Sequence, residues 1–412
     1  MRNLFAAVLL MALAACGSQG GGKAQQQASA TPHATSVQRA GADSMASHDP
    51  AVGQLAKADI PDPQPRPTMQ AQVVLDRQGF GPGVIDGKMG ISTTNALEGF
   101  QEAHGLPVSG KLDVATQQAL AQWNNIPATR VVRIPQEWGQ TKYVKIPKGE
   151  DQQAKLQSLG YQSLDERLAE RFHTTAAVLD QLNPNGQPAG MNGAALAGGG
   201  EATAQGNGKA ATAAAASPTP SPGPSVSRDP TQSIYHAGQF VRVPNVGSDQ
   251  IDPEQVQDKD WLATLASLGV GTTQPHVSKI VVSKHGGWLK GYDKAGKLVA
   301  MFTVTTGSQH DPLPLGTWGI TTISRNPHFN YNPDLFWDAK PTDKEARLPP
   351  GPNGPVGVVW IDLTKEHYGI HGTPEPQTIG RTESHGCVRL TNWDAARLAQ
   401  MVDTSTKVVF EA

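Results

Sequence analysis

The chain has 412 residues, with 34 basic and 36 acidic side chains and a formal net charge of -2. That balance offers no field that would hold a nucleic-acid backbone, so a nucleic-acid partner is excluded from the expectations. Hydrophobic residues make up 38%, which fits several modules of ordinary size better than one giant core. Its 44 glycines and 32 prolines come to about 18% against an average near 12%, which predicts stretches of coreless linker.

Residues 1–15 hold Arg2, an apolar run from Leu4 to Ala12, and then Leu13-Ala14-Ala15 before Cys16. This order reads as a secretory signal. The run is shorter than the roughly 20 residues a bilayer-spanning helix needs. The small residues ahead of Cys16 resemble the lipobox of bacterial lipoproteins. That resemblance implies a lipidated Cys16 as the new N-terminus and a firm acyl anchor in the membrane. Gly17, rather than Asp, resembles the outer-membrane sorting pattern of Gram-negative bacteria, with the chain on the periplasmic face. Cys387 would then be the sole thiol in a compartment where disulfides normally form. Such a cysteine is buried and inert, paired between molecules, or kept as a nucleophile.

Residues 16–67 are rich in Gly, Gln, Ala, Ser and Pro and read as a flexible tether. From Met69 the pattern changes: Met69, Val73 and Val74 predict a short helix, Ile91 to Ala103 a second with Ala96, Leu97 and Phe100 on one face, and Val114 to Trp123 a third. Gly79 to Gly83 and Ile85 to Gly90 are turn signals between them. The run Gly79 to Gly90, then Phe100-Gln101 and Gly105-Leu106-Pro107-Val108-Ser109-Gly110, resembles the small peptidoglycan-binding domain found beside cell-wall enzymes. The resemblance covers about residues 68–125 and implies a three-helix unit. No aromatic or charged cluster in it fixes the sugar or peptide contacts.

Residues 140–250 predict a small α+β module. Ser163 with Glu166 forms a capping-box pattern before one helix, and Thr174 or Thr175 caps a second that Pro184 ends. From Gly186 to Pro230 run 45 residues with 12 Ala, 9 Gly and 6 Pro, too little apolar surface to offset the cost of ordering. Gly238 to Val246 then reads as a strand. The helix pair with this strand resembles a LysM-type glycan-binding module, split by the insertion at 186–230. Surface insertions cost little loop entropy per residue, so a split module can still close. Two unrelated fragments flanking a linker are the alternative.

From about Pro275 the chain turns strand-like. Strands are expected at Val277 to Ser283, Trp288 to Tyr292, Leu298 to Val304, Gly319 to Ser324, Gly357 to Leu363, Tyr368 to His371 and Lys407 to Phe410. Asp293 to Lys297 predicts a hairpin turn. One helix, Trp393 to Val402, is capped by Thr391 or Asn392 and turns Ala395, Leu398, Ala399 and Val402 to a core. The domain is mainly β. Ile320 to Pro355 forms a long loop with Phe329, Tyr331, Phe336 and Trp337, which either walls a substrate site or packs onto the sheet. Arg325, Asn326, Trp337 and Trp360 are contact candidates there, and Trp318 is expected in the core.

Two polar motifs remain: His371-Gly372-Thr373 at a strand end, and Ser384-His385-Gly386-Cys387-Val388-Arg389-Leu390 before the last helix. A thiol is mostly neutral at pH 7 until an adjacent imidazole or cation activates it. Cys387 has His385 and Arg389 two residues to either side. Gly386 removes a side chain beside it, so the N–H groups of Gly386 and Cys387 can approach an oxyanion. His371 lies 16 residues upstream, so only the fold can bring it to the sulfur, as in catalytic triads. Zinc is an alternative use of His371, His385 and Cys387, disfavoured because no paired ligand spacing exists and Arg389 would repel a cation.

Together the two motifs resemble the signature of the L,D-transpeptidase catalytic domain, over about residues 276–411. The resemblance implies a mainly β, sandwich-like catalytic domain within a multidomain chain. It implies Cys387 as acyl-accepting nucleophile and His371 as general base. Ser384 and His385 would shape the pocket, Arg389 would orient the cysteine loop or substrate, Gly386 and Cys387 would donate to the oxyanion, and Gly372 and Thr373 would contact substrate. The implied reaction is acyl transfer from a tetrapeptide stem of peptidoglycan, with release of D-Ala and a thioester intermediate. The acceptor is an amine of a second stem, giving a 3-3 cross-link, or of a lipoprotein or other protein. The cycle exchanges one amide for another, so neither cofactor nor metal is implied. Two alternatives stay open: a wall-binding lipoprotein with a decayed enzyme domain, and a hydrolytic L,D-carboxypeptidase or amidase using the same nucleophile.

Overall fold

The computed structural model describes residues 57–191, 232–247 and 251–412. The leader, Cys16, the tether up to residue 56 and the insertion from residue 192 lie outside the described residues. In chain order the elements are β1 (Lys57–Ala58), α1 (Pro67–Arg77), β2 (Phe80–Gly81), α2 (Ile91–Ala103), α3 (Val114–Leu120), β3 (Thr129–Arg133), α4 (Glu150–Gln153), α5 (Leu164–Arg171), α6 (Ala176–Leu182) and β4 (Phe240–Pro244). Then come α7 (Lys259–Leu268), β5 (Lys279–Ser283), β6 (Trp288–Tyr292), β7 (Leu298–Thr303), β8 (Gly316–Arg325), β9 (Phe329–Tyr331), β10 (Ala346–Leu348), β11 (Val359–Leu363), β12 (Gly369–His371), β13 (Val388–Arg389), α8 (Asn392–Met401) and β14 (Lys407–Glu411).

The first helices owe their shape to two buried glutamines. Gln72 donates to Thr93 Oγ1 at 2.9 Å and accepts from the Gly87 N–H at 2.7 Å, closing the 85–90 turn onto α1. Gln101 accepts from the N–H groups of Ser109 and Gly110 and donates to Thr116 Oγ1 at 2.8 Å, closing the second turn onto α3. Buried amides tolerate such positions only when their donors and acceptors are paired. Asp113 caps α3 through the Thr116 N–H, and the helix tightens into a 3-10 turn at Ala121–Trp123 rather than running on as α to Trp123.

A mixed α/β unit follows. Strands β3 and β4 pair antiparallel from Thr129↔Pro244 to Arg133↔Phe240, with α5 and α6 between them in sequence. Ser163 caps α5 by accepting from the Glu166 N–H, and Glu166 reaches back to the Gln162 N–H, one residue before the cap. Thr175 caps α6. The reading of residues 16–67 as tether needs correction at its end. Strand β1 pairs with β3, and the buried Arg242 guanidinium donates to the Ile60 and Pro61 carbonyls. A two-residue strand has no period to read, so only its partner reveals it.

The C-terminal domain is mostly β. Among the described residues, nine strands form one sheet in the order β13-β12-β11-β8-β14-β5-β6-β7-β2. Strand β2 is contributed by the first region, pairing parallel with β7 through Phe80↔Met301 and Gly81↔Phe302. Helices α7 and α8 cover one face over a core that includes Trp261, Leu265, Ile280, Phe302, Ile361, Ile370, Trp393 and Leu398. Helix α8 starts one residue earlier than expected, at Asn392, with Thr391 as its cap. Trp318 is partly buried and packs on this core.

Candidate active site

Strand β11 alternates between buried and half-exposed residues, and side chains on a pleated strand alternate between faces. Val359, Ile361 and Leu363 enter the core, while Trp360 and Asp362 face the other way. The pairings Trp360↔His371 and Asp362↔Gly369 carry that second face onto β12. The parallel pairing Ile370↔Val388 and His371↔Arg389 carries it onto β13, and by the same register Cys387 continues the row of Gly369. One face therefore holds two adjacent rows: Trp360, His371 and Arg389 in one, and Asp362, Gly369 and Cys387 in the other. Sixteen residues apart in sequence, His371 and Cys387 are diagonal neighbours on paired strands.

His371 is buried and fixed in orientation. Its ring stacks on Trp360, with centroids 5.5 Å apart and planes 24° apart. Nδ1 lies 2.7 Å from the Gly372 carbonyl. A carbonyl only accepts, so Nδ1 carries the proton and Nε2 keeps the lone pair of the neutral ring. Burial pushes the imidazole down to about 3, with Arg389 adding to the fall and the Gly372 carbonyl opposing it. At neutral pH the ring is uncharged.

Cys387 is half-buried, its Sγ 3.8 Å from the His367 carbonyl. Burial pushes the thiol up, the Gly369 N–H and Arg389 pull it down, and Asp362 raises it. The resting pair is a thiol beside a neutral imidazole. Ser384 is buried and donates to the Cys387 carbonyl at 2.6 Å, pinning the loop. Gly386 has φ +100°, and a Cβ there would lie 2.6 Å from the Tyr368 ring, so only glycine fits. Arg389 Nε is buried and has no hydrogen-bond partner among the described residues.

His385 takes a different direction. Its Nε2 meets Asp338 Oδ1 at 2.9 Å, and its ring makes an edge contact with Phe336 at 5.2 Å. Phe336 to Asp338 belong to the hairpin segment between β9 and β10, so this segment lies against the cysteine loop. Trp337, on the same segment, stacks on His310 at 4.6 Å. The long-loop expectation thus becomes a β-hairpin, Phe329↔Leu348 to Tyr331↔Ala346.

Arg325 and Asn326 turn away from this face toward α7. Ser324 pairs with Trp360 and Arg325 with Val359, so Arg325 points to the opposite face, its guanidinium 5.7 Å from the Trp261 ring of α7. Asn326 accepts from Thr264 on the same helix. Gly372 packs against Asn392 with no room for a Cβ, and Thr373 is buried, its Oγ1 accepting from the Glu375 N–H. Sequence reading missed Asp362 and Tyr368. Asp362 carried a readable signal, the alternation of β11, which places it on the face of Trp360.

Residues 278–410 match the family model of the L,D-transpeptidase catalytic domain, YkuD, and residues 67–120 match that of a putative peptidoglycan binding domain. An L,D-transpeptidase catalytic domain and a peptidoglycan-binding domain are thus both present. The putative L,D-transpeptidase YkuD of Bacillus licheniformis is 32% identical over 130 residues, 32% of this chain and 63% of that protein. The probable L,D-transpeptidase YbiS of Escherichia coli K12 is 42% identical over 65 residues, 16% of this chain and 21% of that protein. The chain thus spans less than two thirds of these relatives. Among solved structures, an L,D-transpeptidase from Mycobacterium smegmatis aligns at 16% identity and TM-score 0.27, over 32% of this chain and 58% of that one, a likeness that supports no conclusion of its own.

Proposed function

We propose that this protein is a peptidoglycan L,D-transpeptidase that works through a thioester on Cys387. The observation that carries the reading is the tautomer of His371: Nδ1 is committed to the Gly372 carbonyl, which leaves Nε2 as a base on the face that Cys387 shares. Nε2 takes the thiol proton as the sulfur attacks the carbonyl of the third residue of a tetrapeptide stem. The C–S bond forms, the peptide bond to D-Ala breaks, and the imidazolium returns its proton to the leaving amine. A neutral thiol–imidazole pair suits this order, because charge develops only as the bond forms. The backbone N–H groups of Gly386 and Cys387 receive the developing oxyanion. An amine of a second stem or of a protein then takes the acyl group.

The peptidoglycan-binding domain supports peptidoglycan as the partner. We further read the β3–α5–α6–β4 unit as a LysM-type module and Cys16 as a lipid anchor on the periplasmic side of an outer membrane.

Incubating the full chain with a purified disaccharide tetrapeptide and weighing protein and products by mass spectrometry tests the reading. The parent should gain the mass of the acyl group less D-Ala and yield dimers or tripeptides, and Cys387→Ala should do neither. Product formation by Cys387→Ala would overturn it.

A further inference from the structure

The peptide behind His371 is held in place from outside the catalytic domain. The side-chain amide of Asn392, at the start of α8, fills the slot between Gly357 and Gly372, where a Cβ on either glycine would overlap its oxygen. Both polar atoms of that amide are paired. Oδ1 accepts from the Val358 N–H at 3.3 Å, and Nδ2 donates to the Pro352 carbonyl at 3.0 Å and to Glu170 Oε1 of α5 at 2.7 Å. Glu170 is buried and hydrogen-bonded by Tyr161, whose hydroxyl accepts from Ser267 of α7. The loop that carries Gly357 is anchored to the same region. The Leu159 N–H donates to the Pro350 carbonyl and the Asn353 N–H to the Leu159 carbonyl, each at 2.9 Å, and Asn353 Nδ2 donates to Glu166 Oε1 of α5 at 2.6 Å. Helix α5 and the residues before it therefore hold both the amide and the loop that enclose Gly372.

We infer that Asn392 and Glu170 are positioning residues for the base: together they keep the Gly372 carbonyl on His371 Nδ1 and so keep Nε2 free. The inference rests on the reading of His371 as the base of the thioester reaction. Neither residue touches the reacting atoms, and both act through Gly372. Glycine has the widest backbone freedom of any residue, and the Gly372 N–H makes only a 3.3 Å bond to the Val359 carbonyl. Its peptide therefore keeps its direction only while its surroundings do. An amide has two unlike ends: Val358 needs the oxygen, while Pro352 and Glu170 need the N–H groups, so the amide has one orientation. A Gly372 carbonyl that turns away releases Nδ1, and the ring then exchanges tautomers. A ring with its proton on Nε2 cannot take the thiol proton. Helix α5 lies outside residues 278–410, the span matched to the catalytic-domain family, so the base of this chain depends on a neighbouring unit.

The test uses the full chain carrying isotope-labelled histidine, whose ring-nitrogen NMR signals distinguish the two tautomers. The His371 signal, assigned by its loss in His371→Gln, should show the proton on Nδ1 at neutral pH. A parent ring protonated on Nε2 overturns the inference without any variant. Asn392→Leu keeps the bulk of the amide without its hydrogen bonds, and Glu170→Leu removes the acceptor. Each should give a ring of mixed tautomers, and with a disaccharide tetrapeptide as substrate each should lower kcat by about tenfold at an unchanged KM. Glu170→Gln, which still accepts from Asn392, should restore both readouts. Should the leucine variants not fold, Glu170→Asp keeps the charge, withdraws it from Asn392 by one methylene, and carries the same expectation. Folded variants that keep either the parent's tautomer or its kcat overturn the inference and leave the thioester reading standing. A parent that forms no acyl-enzyme overturns that reading, and the tautomer comparison still decides whether the pair holds the ring.

Discussion

His371 is buried beside Arg389 on paired strands, and its burial, with the neighbouring guanidinium adding to it, sets the resting charge of the site. The imidazole is held neutral down to about 3, far below the ordinary histidine range. Alkylation of Cys387 by iodoacetamide should consequently rise smoothly from pH 5 to 8, following the thiol alone. An inflection near 6.5 that disappears in His371→Gln would show that the ring titrates in the ordinary range and that the site rests as an ion pair.

Between elements, the contact of α5 with the start of α8 is sensitive to pH. Glu170 on α5 is buried, accepts from Asn392 Nδ2 at 2.7 Å, and lies beside Tyr161 and Glu166. Burial pushes its carboxyl up to about 7, against the pull of Asn392 and Tyr161. The folded state thus binds this proton more tightly than the unfolded chain, so the contribution is full below about 4.5 and fades as pH rises through 7. Between pH 4.5 and 8 the parent should lose about 3 kcal/mol through this group. Glu170→Gln, which keeps the acceptor for Asn392, should flatten that part of a urea-denaturation series. An equal slope in both proteins would mean that the carboxyl is ionised in the fold. Because Asn392 opens the helix that follows the cysteine loop, this contact also ties α5 to the site.

At the scale of the molecule, one buried cluster joins three regions. Asp76 of α1 meets His173 Nδ1 at 3.1 Å and Arg397 Nη1 of α8 at 3.4 Å. His173 also reaches the Leu268 carbonyl at 2.9 Å and stacks on Trp393 at 4.9 Å. Burial alone would raise the Asp76 carboxyl, yet His173 and Arg397 hold it well below the usual range. Removing Asp76 takes its carboxylate partner from the buried Arg397 guanidinium. Asp76→Ala should cost about 3–5 kcal/mol, read as a lower midpoint in urea. A cost under about 1 kcal/mol would show that the regions are held by apolar packing alone. With β2 added to the catalytic sheet, the peptidoglycan-binding domain is docked on the catalytic domain.

Much of this was legible in the chain itself. Ser384 to Arg389 and His371 to Thr373 are local signatures whose residue types state their chemistry, and the strands β5 to β7 announce themselves by composition and by a turn at Asp293 to Lys297. Caps at Ser163, Thr175 and Thr391 are set by neighbours three residues away, so they too are local. What remained hidden depends on partners distant in sequence. Strands β1 and β2 have two residues each and exist only because β3 and β7 supply their hydrogen bonds. The face that joins Cys387 to His371, and sends Arg325 to the other side, follows from register, which only the assembled sheet defines. Asp362 shows the division most clearly: its alternation placed it on a face, but only the pairing through Gly369 placed it in the row of Cys387, two strands away.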